Sequence, residues 1–101
     1  MKEEIFGPFV CLDKFSTESE AIWKANDVDY GLCASVWSEN ARLIHRVSRQ
    51  LEAGTVWNNC WLIRSLNMPF GGCKQSGTGR EGIEQSLEAY TDVKTVCFKY
   101  T

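Results

Sequence analysis

The sequence is poor in histidine, pairs no cysteines at metal-ligand spacing, carries no bias of charge and contains no long apolar run. With one histidine, His45, and five irregularly spaced cysteines, Cys11, Cys33, Cys60, Cys73 and Cys97, neither a zinc site nor a disulfide framework is expected. The thiols read as buried small hydrophobes. Lysine and arginine total 11 against 13 acidic residues, a net charge of −2 with no block of one sign, which argues against nucleic-acid or membrane-surface partners. No apolar run approaches the roughly 18 residues of a membrane span, and the opening MKEEIFGPF lacks the charged-then-apolar layout of a signal peptide. A cytoplasmic protein whose partner is small or is another protein is expected. At 101 residues the chain is one domain or part of a larger one, and standing free it would bury about 60–65% of its unfolded surface.

What is present has the rhythm of an α/β domain. FVCLDKF, residues 9 to 15, is a short apolar run between Pro8 and a polar cluster and reads as a strand. Thr17 and Glu20 have capping-box spacing and predict a helix over residues 18 to 26. LCASVW, 32 to 37, reads as a second strand. Ser38 is placed to cap a second helix, with Leu43, Ile44, Val47 and Leu51 on one stripe and Arg42, His45, Arg46 and Arg49 opposite, so His45 is expected in solvent. Gly54 is expected to end that helix in a left-handed conformation before TVWNN starts a third strand. Such an alternation, with apolar strands and crossovers of this length, predicts a parallel sheet. Residues 60 to 79 form a long glycine-rich loop, a length usually tied to function. Ile83, Leu87 and Tyr90 mark a third helix, and KTVCFKY, 94 to 100, alternates like a half-buried strand.

Gly77, Gly79 and Gly82 spell G-x-G-x-x-G, but no strand runs into the first glycine and Cys97 stands where an acid should be, so a dinucleotide fingerprint is rejected. Trp57 and Trp61 read as core aromatics first and ligand platforms second. Arg64 is the unusual residue, a permanent charge among tryptophan, leucine, isoleucine, methionine and phenylalanine. An unpaired guanidinium taken from water is costly, so Arg64 must reach solvent or meet an anion: either a substrate, or an Asp or Glu at a domain or subunit contact.

Four stretches together, EEIFGP at 3 to 8, YGLCASVWS with AGTVWNN at 30 to 59, PFGGCKQSGTGRE at 69 to 81, and AYTDVKTV at 89 to 96, resemble the carboxyl-terminal part of NAD(P)-dependent aldehyde dehydrogenases. NCWLIRSLNMPFGG is most similar to the branch acting on 2-aminomuconic or 2-hydroxymuconic semialdehyde. The resemblance implies that Glu4 holds the nicotinamide ribose, a role that a carboxylate able to accept from two hydroxyls can fill, although an acid near a chain end can equally be solvated. It implies that Phe6 packs beside the nicotinamide, where a core phenylalanine would look the same. Arg64 and Phe70 would line the aldehyde tunnel, with Arg64 pairing a carboxylate at the far end of the substrate.

In the family a cysteine thiolate attacks the aldehyde, hydride passes from the thiohemiacetal to NAD(P), and a glutamate helps water release the acid. The resemblance places both residues upstream of EEIFGP, so no catalytic and no metal-binding residue is expected here, and Cys60 is read as a packed thiol beside the tunnel. The chain is expected to be a carboxyl-terminal fragment, inactive alone and binding neither NAD nor NADP alone. Residues 1–90 would belong to the parallel-sheet catalytic domain, and 91–101 would be the oligomerisation strand that joins subunits into a homo-oligomer. The alternative is a non-catalytic interaction module that associates with full-length aldehyde dehydrogenase subunits.

Overall fold

The architecture was obtained as a computed structural model and is described for residues 2–101. Thr17 starts the first helix, α1 (Glu18–Asn26): its Oγ1 accepts from the Glu20 backbone N–H at 3.2 Å. Glu20 reaches back one residue further than a standard capping box, its Oε2 accepting from the Ser16 N–H at 2.8 Å. After β1 (Tyr30–Gly31), the run read as a strand at 32 to 37 forms β2 (Cys33–Val36).

The second helix, α2 (Ala41–Ser48), starts two residues later than Ser38 would set it. The Ser38 backbone is tied to Asn59 instead, its N–H donating to Asn59 Oδ1 at 2.8 Å and its carbonyl accepting from Asn59 Nδ2 at 2.9 Å. The cap therefore falls to Asn40, whose Oδ1 accepts from the Leu43 N–H at 3.1 Å. The apolar stripe behaves as its spacing requires: Ile44 is buried, Leu43, Val47 and Leu51 are half-buried, and Arg42, His45, Arg46 and Arg49 are exposed.

Two strands follow, β3 (Thr55–Asn58) and β4 (Cys73–Lys74), and then a third helix, α3 (Ile83–Tyr90). β2 and β3 pair in parallel, from Cys33 against Thr55 to Val36 against Asn58, with α2 as the crossover lying against both. β1 pairs antiparallel with β4, Gly31 opposite Cys73, so the long loop folds back beside the sheet. The core is small: Ile44 at 8% exposure and Trp57 at 5% are the buried hydrophobics.

Two expectations are corrected. Gly54 is not left-handed; the positive-φ glycines are Gly77 and Gly79. Its missing side chain serves a close approach, since a Cβ there would collide with the Gly71 carbonyl oxygen. Residues 9 to 15 form no strand, because among the described residues the run has no sheet partner; residues 94 to 100 are likewise unpaired within this chain, so a partner for them would have to come from outside it. A strand is a pairing, and an apolar run without one stays extended and bare: Val10 is 78% exposed and Leu12 92%. These segments lengthen the molecule to a Cα radius of gyration of 19.0 Å, against about 13 Å for a closed 100-residue domain. Among the described residues no helix is long and apolar enough to cross a membrane.

Candidate functional site

The loop from Asn59 to Gly82 leaves the carboxyl end of β3 under tension. Asn59 (φ 52°) and Leu62 (φ 57°) hold left-handed backbone without being glycine, at a cost of order 1–3 kcal/mol each. Buried Trp57 secures the start of the loop, its Nε1 donating to the Ile63 carbonyl at 2.8 Å. Trp61 meets Trp57 edge to face, with centroids 5.0 Å apart and planes at 65°. Trp61 is not the core residue its neighbours suggest; it is 52% exposed.

Farther along, Met68 closes a turn on Ser65, N–H to carbonyl at 3.0 Å. Phe70 and Glu81 then form an isolated antiparallel bridge that shuts the loop. Arg64 reaches across this bridge: its carbon Cζ lies 4.1 Å from the centre of the Phe70 ring, and Nη2 pairs with Glu81 Oε1. An anion for Arg64 is thus supplied within the chain by Glu81, on the same loop and not at the domain or subunit contact that the ion-pair alternative named, while the side chain remains 40% exposed.

Two further cations brace the loop, and neither stood out in the sequence. Lys74 (φ 52°) donates Nζ to the Asn26 carbonyl at 2.7 Å and the Val28 carbonyl at 3.0 Å, and pairs with Glu52 at 2.7 Å. It thereby supplies a donor to the Val28 carbonyl just beyond the end of α1 and a second one to the Asn26 carbonyl, which already accepts from the Val28 N–H at 2.8 Å. Arg80 donates Nη1 to the carbonyls of Gly72 at 2.8 Å and Gly79 at 2.7 Å, and Nη2 to Cys73 Sγ at 3.3 Å. Phe70, Glu81 and Arg80 line a concavity walled by Gly71, Gly72 and Gly77.

Glu4 and Phe6 lie elsewhere, in a concavity formed by the extended amino-terminal segment with Ile5, Gly7 and Phe9. Phe6 has φ 53°, and the Phe9 N–H closes a tight turn onto the Gly7 carbonyl at 2.7 Å, so Pro8 sits at a corner as its fixed φ favours. The structure therefore groups Arg64 with Phe70 and Glu4 with Phe6, and no residue lines both concavities. All five cysteines are free thiols, and among the described residues no three His, Cys, Asp or Glu side chains gather as a metal would need. Glu81 was missed by sequence reasoning: the acid in SGTGRE has no periodicity to mark it.

Residues 1–96 match the model of the aldehyde dehydrogenase family. The chain is 57% identical over 100 residues to 2-aminomuconic semialdehyde dehydrogenase of Bos taurus, covering 99% of this chain and 20% of that protein. It is 54% identical over 97 residues to 2-hydroxymuconic semialdehyde dehydrogenase of Pseudomonas putida, covering 96% and 20%. The fold matches that of the indole-3-acetaldehyde dehydrogenase AldA of P. syringae, in complex with NAD+ and IAA, at a TM-score of 0.87 and 45% identity over 92% of this chain and 19% of that one. The chain spans about a fifth of the length of these relatives. Its sequence, its α/β architecture and the order of its motifs agree, and the chain belongs to the aldehyde dehydrogenase family.

Proposed function

We propose that this chain forms one wall of the active site of an NAD-dependent aldehyde dehydrogenase that oxidises a carboxylate-bearing semialdehyde to the corresponding acid. The observation that carries the reading is the Arg64 guanidinium, held over the Phe70 ring and already paired with a carboxylate, that of Glu81. A planar fork between an aromatic face and solvent suits a carboxylate-terminated ligand, because bidentate pairing is directional and strengthens as water is excluded. The relatives named for 2-aminomuconic and 2-hydroxymuconic semialdehyde support this substrate class. In this role Arg64 orients the charged end of the substrate and Phe70 walls the tunnel beside it.

Glu4 and Phe6 are assigned to the cofactor. Their chemistry fits: an exposed carboxylate offers acceptors to a ribose diol, and the Phe6 ring, 90% exposed, is free to lie beside a planar heterocycle. NAD+, found with the AldA relative, supplies the hydride acceptor when bound; whether NADP serves as well depends on residues outside these four. The thiol nucleophile and the base are assigned to other parts of the enzyme, and the 101 residues alone are expected neither to oxidise aldehydes nor to bind the cofactor. Residues 91–101, exposed and extended, are assigned to a strand that joins a neighbouring subunit's sheet in a homo-oligomer, with 1–90 as the catalytic-domain part. Five free thiols suit the reducing cytoplasm. The test is substrate discrimination in the whole enzyme: removing the Arg64 guanidinium must cost carboxylate-bearing semialdehydes more than neutral aldehydes, and equal costs would remove the reading.

A further inference from the structure

We propose that Lys74 is a positioning residue for substrate binding: its ammonium pins the far end of the loop from Asn59 to Gly82 to α1 and to the link between α2 and β3, and so fixes where the Phe70 ring and the Arg64 fork stand. The inference rests on the reading of that loop as the wall of an aldehyde tunnel and names what holds the wall in place.

Lys74 has φ 52°, a left-handed backbone that is strained for a residue with a side chain, by of order 1–3 kcal/mol, and unstrained for glycine. The same loop places glycine at 71, 72, 77 and 79. A lysine held in this conformation, in a segment otherwise generous with glycine, has a use for its side chain. That use is visible at Nζ. An ammonium has three donors, and each has an acceptor: the Asn26 carbonyl at 2.7 Å, the Val28 carbonyl at 3.0 Å and Glu52 Oε2 at 2.7 Å.

The acceptors belong to one joined frame. Asn26 Nδ2 donates to the Gln50 carbonyl at 2.8 Å and Asn26 Oδ1 accepts from the Glu52 N–H at 2.9 Å, so the end of α1 and the link from α2 to β3 are already tied together. Lys74 attaches the loop to that frame, and the backbone attachment it reinforces is slight. β4 is two residues long and pairs with β1 through Lys74 opposite Tyr30 and Cys73 opposite Gly31. The Gln75 N–H donates to the Asp29 carbonyl at 2.9 Å, and Ser76 Oγ accepts from the Gly31 N–H at 2.9 Å. Such a short pair is a weak anchor by itself.

From Lys74 a run of fixed contacts leads to the substrate side. Arg80 joins the carbonyls of Gly72 and Gly79, Phe70 is bridged to Glu81, and Arg64 lies over Phe70 and pairs with Glu81. Gly71 and Gly72, between Lys74 and Phe70, let the backbone swivel unless both of their ends are held. Binding groups misplaced by about 1 Å lose much of their effect, so release of this anchor reaches the substrate without any direct contact.

The experiment uses the whole dehydrogenase carrying this loop, with 2-hydroxymuconic semialdehyde and NAD+. Lys74→Met keeps the unbranched apolar stem and removes the ammonium. It is expected to raise KM for the semialdehyde about tenfold, ~1.4 kcal/mol, and to leave kcat and the KM for NAD+ within about twofold. A role confined to stability would instead reduce the amount of active enzyme, lowering kcat with KM unmoved. Glu52→Gln is the milder second variant: it leaves the ammonium its two carbonyls and should raise the same KM about threefold. An unchanged KM for the semialdehyde in either folded variant overturns the proposal. Arg64→Ala, measured on the semialdehyde and on a neutral aldehyde, reports separately on the tunnel reading. Equal losses on the two remove that reading; a loss selective for the semialdehyde, beside an unchanged KM in Lys74→Met, removes only the positioning role.

Discussion

Phe70 and Glu81 exchange both backbone hydrogen bonds, Phe70 N–H to Glu81 carbonyl at 2.8 Å and Glu81 N–H to Phe70 carbonyl at 2.7 Å. This one bridge sets the ring beneath Arg64 and the carboxylate beside it, so the aromatic and ionic contacts of the guanidinium are positioned together.

Glu81→Gln keeps an acceptor at that place and removes its charge. An exposed pair of this kind contributes about 0.2–1 kcal/mol. Amide hydrogens of residues 64 to 68 should then exchange up to about fivefold faster, while those of β2 and β3 stay unchanged. Unchanged exchange in the loop would show that the ion pair does not hold Arg64.

Gly54→Ala places a methyl against the Gly71 carbonyl, where backbone on both sides leaves little room to yield. Overpacking of this kind costs about 1–3 kcal/mol. The urea midpoint should fall accordingly. Gly7→Ala is the control: no atom lies within 4 Å of its added Cβ, and its change should stay within about 0.5 kcal/mol.

The start of α1 should respond to acid. The Arg46 guanidinium holds the Glu18 carboxyl below its ordinary range, and the Ser16 N–H followed by Lys24 does the same for Glu20. A carboxyl whose pKa is depressed by folding stabilises the native state above its unfolded pKa, and that contribution is lost as pH falls through the folded value. Helical circular dichroism should therefore decline as the pH drops below about 4. Thr17→Ala, which removes the cap at neutral pH, should cost about 1 kcal/mol and leave the acid dependence in place.

Local chemistry was legible and long-range pairing was not. The Thr17 cap, the stripe of Leu43, Ile44, Val47 and Leu51, and the parallel pairing of β2 with β3 across α2 follow from spacing alone, because each depends on residues close in the chain or on a crossover of obligatory length. The strand expected at residues 9 to 15 failed because an apolar run does not contain its partner. Gly54 illustrates the same limit: its glycine is needed for contact with Gly71, seventeen positions away, and not for its own φ. At the site, the demand of Arg64 for an anion could be read from its apolar neighbours. That Glu81 answers it could not, since the bridge to Phe70 brings them together. The turn after β3 was only half legible: Asn59 is of a type that tolerates left-handed backbone, whereas Leu62 carries no sequence mark of it.

The most direct measurement is the ratio of kcat/KM for a carboxylate-bearing semialdehyde to that for a neutral aldehyde of similar length, in the whole dehydrogenase with and without Arg64→Ala. Loss of a guanidinium that grips the substrate should lower the ratio at least tenfold, ~1.4 kcal/mol, with Arg64→Lys recovering part of it through charge without the fork. A ratio that stays constant while both activities fall would show that Arg64 serves only its bond to Glu81, and would contradict the assignment of this loop to the substrate.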